Sequence, residues 1–296
     1  MSRLRHRLEW FLFRLARGTL RALPHSTARP LGGSLGTLAW LSSPSYRKIV
    51  DRNLRRAFPA WPKRRRRRIS RACFRHFGSM VFDLVSFGRF DAVDLCRRLS
   101  LQGWENMDRA EEDGGGILYL SAHLGNWEIA AHVLGLYRGP VHLVARPFNN
   151  PLIWEPMLRE RERFGQRVLD KKGAARGVFR VLRNEGRVGI VMDQRVRPGQ
   201  GGVRVPFFGH QALTTLLPAK AALRTGATGV PVFAYPRPGG RYRMEIHPPI
   251  RIRRRDDETE NDAVLRWTRR VLGVFESEIR RHPEQWLWMH RRWRLD

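Results

Sequence analysis

The chain has 296 residues and 42% hydrophobic content, enough for one large domain or two small ones and inconsistent with a disordered or low-complexity chain. Its 56 Lys and Arg against 27 Asp and Glu leave a formal charge of +29, too large a surplus for internal ion pairing, which points to an anionic partner: nucleic acid, an anionic membrane face or an acidic protein. Two cysteines, Cys73 and Cys96, exclude a disulfide scaffold and a four-Cys zinc site, and both fall in helix-like segments as core thiols.

Five of the 56 basic residues are lysines (Lys48, Lys63, Lys171, Lys172 and Lys220), leaving 51 arginines. A GC-rich genome accounts for such a bias as readily as function does, but not for the shortage of acids. Residues 3–23 have Leu4, Leu8, Phe11, Leu12 and Leu15 at helical spacing, with arginines around them. That is the composition of an interfacial helix, and also of a terminal helix packed on its own domain. Arg14 and Arg17 interrupt the apolar run and no small-residue cleavage site follows, so no cleavable signal peptide is expected. No stretch reaches the roughly 18 apolar residues of a spanning helix; Leu31–Leu41 is too short and rich in Gly.

Pro62 opens a long helix to about Phe87, with Ile69, Cys73, His76, Phe77, Met80 and Leu84 as its buried stripe. Its first turns hold Lys63 to Arg68, six consecutive cations that oppose the helix macrodipole. The run is either a solvated face or one offset by anionic head groups or an acidic protein. From residue 114 the pattern predicts strand 116–122, helix 127–136, strand 141–145, helices 151–164 and 173–184, and strand 188–192. Helix 213–224, strands 230–235 and 242–247 and a last helix over 258–281 follow, with 195–210 as a Gly- and Pro-rich loop. Strand–helix alternation implies an α/β fold with a mainly parallel sheet, preceded by a helical N-terminal region.

The informative segment is Ser121-Ala-His-Leu-Gly-Asn-Trp-Glu128. His123 falls just past a buried strand, where open α/β sheets place their ligands, and Glu128 falls in the first turns of the next helix. A carboxylate five residues from a histidine can fix its tautomer and leave the other ring nitrogen as a general base; by spacing alone, such a histidine is more often structural. No P-loop or helical His-Glu-x-x-His occurs, and Asp113-Gly-Gly-Gly116 precedes its strand, so it is a turn and not a dinucleotide fingerprint. His132 and His142 are expected to be structural.

HLGNWE resembles the His-x4-Asp/Glu motif of the lysophospholipid and glycerolipid acyltransferase superfamily, and its wording is similar to that of the late acyltransferases of lipid A biosynthesis. Asn53-Leu-Arg-Arg-Ala-Phe-Pro59 resembles the family's N-terminal segment. Arg146-Pro-Phe-Asn-Asn-Pro151 with Arg161-Glu-Arg-Phe-Gly165 resembles its second block, and Val191-Met-Asp-Gln194 with Val205-Pro-Phe-Phe-Gly209 its third. Thr225 to Pro231 and Gln285-Trp-Leu-Trp-Met-His-Arg-Arg-Trp293 resemble the fourth block and the C-terminal signature, so the motifs run in order over nearly the whole chain. Two departures are Lys220, a polar residue in the helix after the third block, and an N-terminal helix more interrupted by arginine than is usual.

The resemblance implies a glycerolipid-acyltransferase-like α/β fold, with residues 1–45 as an N-terminal amphipathic membrane-associating segment and 46–296 as the acyltransferase domain. It implies that His123, held by Glu128, deprotonates an acceptor hydroxyl. Arg146 and Arg161 would bind substrate phosphates or stabilise developing charge. Asp193 and Gln194 would shape the pocket, and Gly125 and Asn126 would position the turn and supply backbone oxyanion donors. The implied donor is acyl-carrier protein and the implied acceptor a Kdo-bearing lipid A precursor, at the cytoplasmic face of the inner membrane, with no metal or organic cofactor required. Acyl-CoA as donor and another glycolipid such as a phosphatidylinositol mannoside as acceptor remain open. A nucleic-acid-binding module is disfavoured because the basic residues are spread along the chain without a recognisable binding motif, and an inactive scaffold because the His123–Glu128 pair is intact.

Overall fold

A computed structural model describes residues 2–86, 90–112, 114–145, 147–170, 173–197 and 201–294. Four helices come first: α1 (Ser2–Ala22), α2 (His25–Ser42), α3 (Pro44–Ala57) and α4 (Lys63–Ser86). The short α5 (Ala92–Arg97), β1 (Leu99–Gln102) and α6 (Glu105–Glu111) lead into the alternating region. There β2 (Ile117–Ser121), α7 (Trp127–Arg138), β3 (Val141–Ala145), α8 (Pro151–Arg163), β4 (Gln166–Asp170), α9 (Ala174–Arg183) and β5 (Arg187–Val191) follow one another. A hairpin of β6 (Gly202–Phe207) and β7 (His210–Thr215) precedes α10 (Leu217–Thr225), β8 (Thr228–Arg237), β9 (Arg241–Ile246) and α11 (Glu260–Arg281).

Seven strands form one sheet in the order β1-β9-β8-β2-β5-β3-β4, every neighbouring pair parallel except β8 with β9. The α/β architecture with a mainly parallel sheet is therefore as the alternation implied. β2 is central, and its side chains alternate between two cores, as a period of two requires. Leu118 and Leu120 enter the layer holding Leu54, Cys73, Trp267, Phe275 and Trp286. Ile117 and Tyr119 enter the layer holding Met107, Ile129, Val133 and Val230. Cys73 is a core thiol that burial pushes up to about 12, whereas Cys96 is half-buried and accepts a hydrogen bond from Tyr137.

One segment differs from the sequence expectation. Residues 202–215 form an antiparallel hairpin instead of a loop followed by a helix, and α10 starts at Leu217. The physical cause is that β-branched Thr214 and Thr215 favour the strand, while Pro218 fits the first turn of a helix, where its missing N–H costs nothing. Residues 25–42 are helical despite Pro30 and three glycines, because α2 packs along α4. A Cβ on Gly36 would sit 2.2 Å from the Phe74 carbonyl, so glycine there permits the close approach of the two backbones.

Candidate active site

β2 and β5 are adjacent and parallel, with Ser121 opposite Val191. Two residues beyond each lie His123 and Asp193, side by side at the carboxyl end of the sheet. The Nδ1 of His123 lies 2.7 Å from Asp193 Oδ1, and the His123 backbone N–H donates to Oδ2 at 3.0 Å. Trp286 Nε1 donates to the same Oδ2 at 2.7 Å. Asp193 is buried. Burial alone would raise its carboxyl, but the neighbouring imidazole and these donors outweigh it and hold the group below the ordinary carboxylate value. An ionised Asp193 on Nδ1 makes that nitrogen the donor and leaves Nε2 as the basic one. Gln194 places its side-chain amide 3.2 Å from Nε2, and the Trp127 ring packs against the imidazole at 4.7 Å between centroids.

The imidazole thus takes its carboxylate from Asp193 and not from Glu128, to which the five-residue spacing pointed. Glu128 instead receives Arg161 in a two-pronged pair, Nη2–Oε1 at 2.6 Å and Nε–Oε2 at 3.1 Å. Arg161 is buried on α8, and a buried guanidinium needs a counter-charge; the first turn of α7 presents one. So Arg161 is close to the histidine turn, but two of its three nitrogens are engaged by protein. Arg146 lies outside the described residues.

The backbone donors also differ from expectation. Gly125 N–H goes to Gln285 O at 3.1 Å and Asn126 N–H to Ala234 O at 2.7 Å, so neither amide is free for an oxyanion. Gly125 has φ 64°, and a Cβ there would lie 2.2 Å from Ala234 O, so only glycine fits. Asn126 caps α7, its Oδ1 accepting from Ile129 N–H at 3.2 Å, and its Nδ2 lies 3.3 Å from buried Asp83. These two residues shape the turn through packing and capping. His76 supports it from α4 with Nε2 3.0 Å from Gly125 O; burial lowers this ring to about 4, so Nε2 is the donor.

The C-terminal segment closes the site from outside the sheet. Leu287 N–H donates to His123 O at 3.0 Å, and Leu124 bridges Trp286. Asn53 Nδ2 holds this segment through Trp288 O and His290 O, both at 2.8 Å, which joins the N-terminal motif to the C-terminal one. His290 Nε2 accepts from Arg195 N–H at 3.0 Å. Arg292 is fully buried, donates to Leu213 O and Thr214 Oγ1 in the β6–β7 hairpin, and is lowered to about 10 by burial. The roles of Trp286, Asn53 and Arg292 were not read from the sequence, although the motifs containing them were.

Among the described residues, Glu245, His247 and Glu278 are close enough together to hold a metal ion. Arg281 pairs with both carboxylates at 3.0 and 2.8 Å, and Arg243 pairs with Glu245. The cluster is therefore already neutralised by guanidinium, and this donor set is a poor fit to a cation.

Residues 1–295 match the family described as bacterial lipid A biosynthesis acyltransferase. Among curated proteins, the chain is 29% identical over 279 residues to the lipid A biosynthesis lauroyltransferase of Escherichia coli (strain K12), covering 92% of this chain and 87% of that protein. It is 24% identical over 274 residues to the lipid A biosynthesis palmitoleoyltransferase of the same organism, covering 92% and 86%. It is 29% identical over 233 residues to a phosphatidylinositol mannoside acyltransferase of Mycobacterium tuberculosis (strain CDC 1551 / Oshkosh), covering 73% and 71%. The crystal structure of the 1-acyl-sn-glycerophosphate (LPA) acyltransferase of Thermotoga maritima aligns with TM-score 0.37 at 16% identity, over 84% of this chain and 98% of that one. With a family match over essentially its whole length, this chain belongs to the bacterial lipid A biosynthesis acyltransferases and is an O-acyltransferase.

Proposed function

We propose that the protein transfers a fatty acyl chain from an acyl-carrier-protein thioester to a hydroxyl of a Kdo-bearing lipid A precursor at the cytoplasmic face of the inner membrane. The observation that carries the mechanism is the 2.7 Å contact of His123 Nδ1 with buried Asp193, which leaves Nε2 as the base. The incoming hydroxyl displaces the Gln194 amide from Nε2 and gives up its proton there. Its oxygen bonds to the thioester carbonyl carbon, forming a tetrahedral oxyanion. Collapse breaks the C–S bond, and the imidazolium returns the proton to the leaving thiolate. Asp193 stays ionised throughout, orienting the ring and stabilising the imidazolium. Glu128 acts by holding Arg161 beside the site, where its charge favours the oxyanion and substrate phosphates; Arg146 is assigned to phosphate binding from its motif alone.

The positive charge of +29 suits an acidic carrier and a phosphorylated acceptor. No helix among the described residues is long and apolar enough to cross a membrane. α1 presents Leu4, Leu8, Phe11, Leu12 and Leu15 outward, the arrangement of a helix lying in the interface. The phosphatidylinositol mannoside acyltransferase relatives favour a second acceptor class, which the same assay addresses.

The test is mass spectrometry of lipid products from purified protein, acyl-carrier-protein thioesters and a tetra-acylated Kdo-bearing precursor. Gain of one acyl chain, lost in His123→Ala, is expected. Transfer only from acyl-CoA, or only to a phosphatidylinositol mannoside, would replace the donor or acceptor; undiminished transfer by His123→Ala would overturn the mechanism.

A further inference from the structure

A groove of about 1440 Å³ lies between α2 and α4, and its lining includes neither His123 nor Asp193. Six arginines of α4 line it, and none of the described lining residues is acidic. Arg64, Arg68, Arg71 and Arg75 recur at i, i+4, i+7 and i+11, which places them on one helix face. Arg66, off that face, pairs with Asp51 at 2.7 Å, whereas no carboxylate among the described residues pairs with the four. The molecule has therefore neutralised a neighbour and left this row charged. The opposite wall is α2, whose sequence contains no acid and only Arg29 as a fixed cation. Its Leu31, Leu35, Leu38 and Leu41 are 43–57% exposed, and Leu38 and Leu41 border the groove.

We infer that this groove is a docking site for an anionic phospholipid surface, separate from the acyl-transfer centre. Head-group phosphates seat on the α4 arginines, and the α2 leucines enter the acyl boundary beside them. The inference rests on the membrane-surface reading given above and adds the face that meets the bilayer. Guanidinium forks match phosphate oxygens, and a row of cations beside a row of outward leucines is the composition of an interfacial element. An acidic protein would complement the arginines but would leave the exposed leucine row unexplained. Phosphates here also relieve the repulsion among Lys63 to Arg68, six consecutive cations at the start of α4.

The experiment is flotation of the full-length chain with phosphatidylcholine vesicles, with and without phosphatidylglycerol. The variants are Arg64→Gln/Arg68→Gln/Arg71→Gln and, as an equal-charge control on exposed α9, Arg176→Gln/Arg180→Gln/Arg183→Gln. About fivefold is expected per arginine near an anionic surface, so the α4 triple loses affinity for phosphatidylglycerol vesicles on the order of a hundredfold, while the control stays within a few-fold of the parent. Leu38→Ser/Leu41→Ser is expected to lose the part of binding that survives high salt. Melting curves confirm that each variant is folded. Equal losses in the two triples would reduce the effect to net charge and overturn the site. So would unchanged vesicle binding by the α4 triple, including the case in which it instead raises KM for the acyl-carrier thioester and so marks the groove as a protein dock. Binding is read without turnover: a chain that floats through this groove but transfers no acyl chain keeps the docking site and loses the acyl-transfer reading.

Discussion

At the residue scale, two carboxylates near one histidine have different partners, Asp193 with His123 and Glu128 with Arg161, and substitution separates their effects. Asp193→Asn keeps the shape of the side chain but favours the wrong imidazole tautomer. It is expected to lower kcat by on the order of 10³–10⁴-fold with little change in KM or melting temperature, read by steady-state kinetics and calorimetry. Glu128→Gln leaves the Arg161 guanidinium buried without its counter-charge. The expected cost is about 3 kcal/mol, seen as a fall in denaturation midpoint at unchanged slope. If Asp193→Asn kept full kcat, the assignment of Asp193 to the imidazole would fail. Gly125→Ala forces a side chain into positive φ and against Ala234 O, and is expected to lower both stability, by more than about 1 kcal/mol, and activity through displacement of His123.

At the scale of elements, the site depends on a distant clamp. Asn53 on α3 satisfies two carbonyls of the segment that carries Trp286 and His290. Asn53→Ala orphans them and is expected to cost about 1–3 kcal/mol, with hydrogen exchange rising first at Trp286 to His290. The long, strongly periodic elements were legible in the sequence: α4, α7, α11 and the strands β2, β5 and β8. The hairpin β6–β7 was less so. Val203, Val205 and Phe207 do alternate, but Pro206 and the surrounding glycines give the signals of a loop, and the Leu213-Thr-Thr-Leu-Leu217 segment fits strand and helix alike. α2 was obscured because Pro and Gly lower its intrinsic helix propensity, while the packing against α4 that stabilises it is not local.

At the scale of the whole molecule, burial of neutral histidines sets the acid limit. His76, His132 and His290 are each lowered by burial from the ordinary 6.5 to about 4. Between those values the unfolded chain binds protons that the folded chain excludes, so stability is complete above about 6.5 and falls as pH drops toward 4. Urea midpoints measured across this window are expected to decline steadily with acidification, by about 3 kcal/mol in total for each of the two fully buried rings, His76 and His132. A flat profile would mean that these rings are charged or exposed in the folded protein.

The sequence by itself determined the fold class and the family, and it singled out His123 as the candidate base. Each is carried by local pattern: a two-residue or 3.6-residue period, and short motifs in fixed order. It also placed Asp193 and Gln194 at the end of a strand and Glu128 on a helix start. Only the tertiary structure decided which carboxylate serves His123. That depends on β5 lying next to β2 in parallel register, which aligns residues 70 positions apart, and on α8 bringing a buried arginine to claim Glu128. Strand order and the pairing of buried charges are settled by packing across the chain, and a one-dimensional spacing does not encode them.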